Sequence, residues 1–214
     1  YFNIPFQIQE EEYYHLSDIS LSMLLSDFGN QYQVVSHPHI NIRFEGTDVQ
    51  RLKKAVGMVL KAHPFLKARI EMHEDEPMWH RDDGREIEIA VEHVTSLDNI
   101  QEEFVPYKLF GNDLARFTIY VGTGRMMLHA DFSHLLIDGF SLGIFESEVR
   151  KFFSAPDIQS DSQEITGYDL YSLEQNWLEL GDNRQNAERH IDFILQDAAN
   201  VAYPYSKTLD EDRR

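Results

Sequence analysis

The sequence predicts an α+β fold whose strands meet mainly as hairpins. Three observations carry that expectation. Apolar and polar residues alternate in short runs, the repeat of a half-buried strand, most clearly at Ile40, Ile42 and Phe44. Two apolar runs, 115–121 and 126–132, are separated by a break centred on Gly122-Thr123-Gly124, which reads as a hairpin. Apolar residues also recur at helical spacing at Leu52, Ala55, Val56, Val59 and Leu60, and again at Leu142, Phe145 and Val149.

Taken in order, residues 1–14 mix aromatic and acidic side chains around Pro5 and show no period, whereas 20–28 fits a short helix with Leu21, Leu24 and Leu25 on one face. The strand at 40–44 breaks at Gly46. Thr47 followed by Gln50 matches a capping box opening the helix of Leu52–Leu60, and Pro64 prevents that helix from continuing. Strands are expected at 65–72 and 87–92, with Asp82-Asp83-Gly84 as a turn between them, and a short helix at 99–104. After the hairpin come a helix at 141–153, a polar loop at 154–163, two amphipathic segments at 168–180 and 184–201, and a charged tail. No internal repeat or low-complexity segment interrupts this order.

Composition narrows the function classes. The 214 residues are 42% hydrophobic and 12% aromatic, which excludes a disordered or fibrous chain. Such a length suits one domain and buries roughly 70% of the unfolded surface. The net charge of −18 repels phosphate backbones and anionic lipid headgroups, and no Lys/Arg-rich block offsets it, so neither nucleic acid nor membrane is an expected partner. No apolar run approaches the roughly 18 residues of a membrane span. Zero cysteines exclude disulfides, thiolate metal sites and a cysteine nucleophile, and fit a reducing, cytoplasmic setting. The chain starts at Tyr1 without a charged-then-apolar leader, so an excised piece of a longer protein is expected.

Ten histidines invite a metal reading. His37 and His39, two apart, would share one face of a strand, but no His-x-x-x-His or His-Glu-x-x-His string appears, and no metal site is expected. Gly122 and Gly124 sit between strands, the wrong context for a phosphate loop. The segment Ser133-His134-Leu135-Leu136-Ile137-Asp138-Gly139 is different. A polar pair ends an apolar strand, three apolar residues follow, and Asp138-Gly139 turns into the next helix. An imidazole at a strand end has an ordinary pKa near 6.5 and can accept or orient a proton at neutral pH. Asp138 can hold the loop and leave His134 facing a cleft; a hydrogen-bonded turn histidine is the alternative.

His134-x-x-x-Asp138-Gly139 resembles the HHxxxDG motif of the condensation domains of nonribosomal peptide synthetases, within the chloramphenicol-acetyltransferase-like superfamily. Other pieces appear in that family's order. Lys61-Ala62-His63-Pro64-Phe65-Leu66-Lys67-Ala68-Arg69-Ile70 looks like RHExLRTxF, Val105-Pro106-Tyr107-Lys108-Leu109 resembles the PFDL segment, and Gly167-Tyr168-Asp169-Leu170-Tyr171 with Trp177 is similar to DYAxW. The resemblance implies an α+β sandwich, a mainly antiparallel sheet covered by helices, and one lobe of two. Residues 1–182 would form the amino-terminal lobe and 183–214 a connecting helix and tail toward the second lobe.

The same resemblance implies acyl transfer, forming a peptide or ester bond between donor and acceptor held on the phosphopantetheine arms of carrier domains, with no cofactor bound to this chain itself. His134 would orient or deprotonate the nucleophile, the Gly139 N–H would face the developing oxyanion, and Asp138 would be structural. Two positions depart from the pattern: Ser133 stands where the family has its first histidine, and Lys67 where it has the arginine that pairs with the motif aspartate. A Lys67–Asp138 ion pair holding the His134 loop is therefore expected. One lobe alone should be inactive. The competing readings are a free-standing acyltransferase using acyl-CoA and a catalytically degenerate module that docks carrier domains.

Overall fold

Seven strands and five helices form among the described residues, which are 10–29, 37–100, 105–158 and 166–198 of a computed structural model. The elements run β1 (Tyr13–His15), α1 (Asp18–Gly29), β2 (His39–Glu45), α2 (Val49–Ala62), β3 (Arg69–His73), β4 (Glu76–His80), β5 (Ile89–His93), β6 (Ala115–Val121), β7 (Arg125–Phe132), α3 (Gly139–Ser154), α4 (Gly167–Glu179) and α5 (Asn183–Ala198). Compact units divide the chain at Tyr1–Leu173 and Glu174–Arg214.

The larger unit holds two sheets, ordered β2-β7-β6-β5 and β1-β4-β3. All their pairings are antiparallel except β5 with β6, which is parallel. In the four-stranded sheet the two-residue repeat puts Ile42 and Phe44 opposite Leu128 and Met126, and these opposite Ile119 and Val121, so one face is continuous hydrocarbon. Helix α3 lays Phe145 against Phe117 and Phe132, with ring centroids 5.9 and 5.2 Å away, and Phe153 against Phe44 at 4.5 Å. The buried side of α2 (Leu52, Val56, Val59, Leu60) joins the same core. In the smaller unit, Asn183 Nδ2 donates to the carbonyl of Trp177 at 2.8 Å between α4 and α5.

Several expectations shift at element ends. Asp48, not Thr47, caps α2: its side chain accepts from the Arg51 N–H at 3.0 Å, because the helix starts one residue later than the Thr47–Gln50 box required. The expected strand at 65–72 opens instead as a 3-10 turn, Pro64–Lys67, since proline's fixed φ favours a first helical position, and the strand proper is β3. A 3-10 turn, Leu97–Asn99, ends where the helix expected at 99–104 would begin; residues 101–104 lie outside the described residues, as do 159–165 of the polar loop and the tail beyond 198. Strand β2 starts at His39, so His37 precedes it and the two imidazoles do not share a strand face. Asp82-Asp83-Gly84 is a turn, with Asp82 Oδ1 accepting from the Gly84 N–H at 3.1 Å.

Around β1-β4-β3 the aromatic residues interlock. Trp79 and Tyr168 are fully buried, and Phe65 meets both at 5.0 and 5.1 Å. Asp169 accepts from the Thr166 N–H and hydroxyl at 2.6 and 2.8 Å, so the carboxylate reaches back from the third helical position to the residue that opens α4. A Cβ on Gly167 would lie 2.6 Å from the Phe65 ring, which explains why only hydrogen fits there. Tyr168 and Asp169 of the DYAxW-like stretch thus serve packing and capping, whereas Leu170 and Trp177 are exposed.

Candidate active site

Strand β7 ends at Phe132, and the next residue is pinned on both sides. The Ser133 N–H donates to the Leu114 carbonyl at 2.8 Å, its carbonyl accepts from the Leu136 N–H at 3.0 Å, and its hydroxyl accepts from the Leu135 N–H at 3.3 Å. Ser133 is 2% exposed. Its hydroxyl closes the turn. Leu135, Leu136 and Ile137 follow, all buried in the core. Since those three point inward, His134 is left exposed at the outer corner of the turn, and its ring makes no hydrogen bond among the described residues.

Asp138 ends the turn and caps α3. Its Oδ1 accepts from the Ser141 N–H at 2.8 Å and from the Ser141 hydroxyl at 2.6 Å. Those two bonds, the hydroxyl's first, hold the carboxyl below its ordinary pKa of 3.8, and the nearby His134 acts in the same direction. Gly139 is the first residue of α3 and exposed, so its N–H is among those that the helix leaves without an internal partner; a Cβ there would meet nothing within 4 Å. An anion-tolerant helix end, a glycine with open space and an exposed imidazole therefore lie within six residues, 134–139.

The expected Lys67–Asp138 ion pair does not form. Lys67 is 8% exposed, and its Nζ donates to the carbonyl of Asp83. Burial pulls its pKa down from the ordinary lysine value, while Asp83 partly opposes that shift. Around it Arg85 donates to the Lys67 carbonyl and pairs with Asp113, which also accepts from Arg69 at 2.9 Å, and Arg81 pairs with Asp83 at 2.6 Å. The 3-10 turn after Pro64 commits Lys67 to this cluster beside β3, whereas Asp138 finds its partners locally. Ser141 is the residue the sequence reading missed; Asp138-x-x-Ser141, a short polar side chain three residues ahead of another at the start of a helix, was the signal for it.

Other motif residues support the turn from behind. Tyr107 is buried, its hydroxyl donates to the Asp131 carbonyl at 2.8 Å, and Arg116 lies 4.0 Å over its ring while holding the Asp131 carboxylate at 2.5 Å. His63, at the end of α2, meets Glu148 of α3 at 2.6 Å. Among the described residues no group of three or more His, Cys, Asp or Glu is placed to hold a metal ion, and no helix is long and apolar enough to cross a membrane.

The turn at the end of β7 thus presents one exposed imidazole beside a capped helix N-terminus in an α+β fold. Residues 12–204 match the family model described as "Condensation domain", and the chain belongs to that family. It is 24% identical over 171 residues to bacitracin synthase 3 of Bacillus licheniformis, covering 76% of this chain and 3% of that protein. The fold is that of the starter condensation domain of rhizomide synthetase, with a TM-score of 0.72 at 15% identity over 91% of this chain and 50% of that one. It is also that of the X-domain solved in complex with OxyB from teicoplanin biosynthesis, with a TM-score of 0.76 at 16% identity over 92% and 45%. The chain thus spans about half the length of these solved structures and a few per cent of the curated relative.

Proposed function

We propose that this chain is the amino-terminal lobe of a condensation domain that joins a donor acyl thioester to an acceptor amine or hydroxyl, both carried on phosphopantetheine arms of carrier domains. Residues 1–182 supply the lobe and 183–214 lead toward the second one. The single observation behind this reading is the exposed His134 held on a turn whose every other side chain is buried or capping.

In this mechanism the acceptor nucleophile attacks the donor carbonyl directly, the thiolate of the donor arm leaves, and the nucleophile's proton passes to His134. General-base help of this kind contributes roughly 10²–10⁴-fold. The Gly139 N–H, directed out of the first turn of α3, faces the oxyanion, and Asp138 keeps that turn closed. Ser133 and Lys67 act only through the fold. No acyl-enzyme is required. A single lobe offers one wall of a cleft and cannot align two arms, so the isolated chain is inactive, and the reaction belongs to the cytoplasm, where carrier domains and the second lobe are partners.

Ser133 favours a second reading, a module that docks carriers without transferring, because one family imidazole is absent. Assaying the whole protein that contains this chain, with the same donor acyl group offered on a carrier domain and on coenzyme A, separates the readings. Product from the carrier-bound donor alone is expected. Turnover of the CoA thioester at a comparable rate points to a free-standing acyltransferase, and carrier binding without product to the docking module.

A further inference from the structure

The chain is acidic overall, at −18, yet α2 reads Val-Gln-Arg-Leu-Lys-Lys-Ala-Val-Gly-Met-Val-Leu-Lys-Ala, with four cations and no carboxylate in 14 residues. Its buried arc is filled by Leu52, Ala55, Val56, Val59, Leu60 and Ala62. At 100° per residue, Gln50, Lys53, Lys54, Gly57 and Lys61 all fall within an arc of about 100° on the opposite side. Arg51 is committed to the fold: it donates to the Phe153 and Ser154 carbonyls at the end of α3, at 2.6 and 3.1 Å. The three lysines are not committed. Lys54 and Lys61 are exposed and Lys53 half-buried, and none forms an ion pair or hydrogen bond with the described residues.

The glycine in the middle of this arc is a second, independent observation. Gly57 has ordinary helical backbone, so no left-handed φ demands it. A Cβ there would meet nothing within 4 Å, so no packing demands it either. A glycine inside a helix nevertheless costs stability relative to alanine. What the residue provides is a flat spot where another backbone can approach a helix lined with free ammonium groups.

We propose that the outer face of α2 is a docking strip for an acidic helix of a carrier domain, with Lys53, Lys54 and Lys61 facing its carboxylates and Gly57 admitting close approach. The proposal rests on the carrier-dependent reading above and adds the place where the carrier lands. Charge complementarity selects the partner: on a chain of net −18, a locally basic strip favours an acidic partner helix, and a carrier presenting one is steered there by attraction that salt screens. Rim charges of this kind act mainly on association.

The test uses the whole protein that contains this chain and its own carrier domain, with binding followed by titration calorimetry and transfer followed by product mass. The double variant Lys54→Glu/Lys61→Glu is expected to weaken carrier binding at least tenfold, while the melting temperature and the transfer rate at saturating carrier-bound substrate stay unchanged. Gly57→Gln should raise the melting temperature yet weaken carrier binding severalfold, a combination that a merely structural glycine does not give. Charge reversal that leaves carrier binding within twofold overturns the proposal, as does a wild-type protein whose lysine-dependent binding is to duplex DNA or anionic vesicles instead. Carrier binding that needs the lysines in a protein that makes no product supports the docking strip and removes only the catalytic reading.

Discussion

The sheet β2-β7-β6-β5 and the sheet β1-β4-β3 each carry a stretch that looks like a family motif, and they use those stretches in opposite ways. At the end of β7 the backbone is tied down by Leu114 and by its own turn, three apolar residues are driven inward, and the polar residue left over, His134, faces solvent. Ahead of β3 the polar residue of interest, Lys67, is driven inward and consumed by a cluster of charges with Arg81, Asp83, Arg85 and Asp113. One sheet exposes its polar motif residue and the other buries it. The histidine turn is therefore held by local bonds and by its apolar anchors, and does not depend on an ion pair from the neighbouring sheet.

That contrast breaks first at the anchors. Ile137→Ala removes a buried side chain behind the turn and should cost about 2–5 kcal/mol in urea unfolding. Because the imidazole then loses its seat, transfer by the whole protein should fall roughly a hundredfold. Lys67→Met is the matching change in the other sheet. It removes a charge-assisted bond to the Asp83 carbonyl, worth about 1–3 kcal/mol, and should leave transfer per folded molecule within about twofold. A large loss of activity from Lys67→Met at unchanged stability would show that the two sheets are coupled after all.

The smallest effect is a dependence on pH. The Asp138 carboxyl is held below its ordinary 3.8, chiefly by the Ser141 hydroxyl, so its folded-state pKa lies under its unfolded one. Its contribution to stability is complete above the ordinary value and is lost as pH falls through the lower folded value. Melting temperatures measured across that acid range should show this slope in the native chain and lack it in Asp138→Asn, which still accepts a capping bond but does not titrate.

Legibility followed the same division. Strands β2, β6 and β7 were readable because each has one buried face and so a clean two-residue repeat. Strands β1 and β4 were not. The first is three residues long, and the second contains Pro77 and meets β3 through Glu74 and Asp75, both at positive φ (48° and 68°) without the glycine that usually announces such a turn. The histidine turn was legible as a strand end followed by Asp138-Gly139, and its cap as a local spacing. The partner of Lys67 was not, since it depends on how a 3-10 turn and a distant loop fold together, and no spacing along the chain encodes that.

The most direct measurement is single-turnover bond formation by the whole protein, from carrier-bound donor and acceptor, with His134→Ala compared with wild type. His134 is exposed and makes no hydrogen bond among the described residues, so the variant should keep the wild-type melting temperature while its rate drops by about two orders of magnitude or more. An unchanged melting temperature with a rate within twofold of wild type would contradict the assignment of chemistry to this turn.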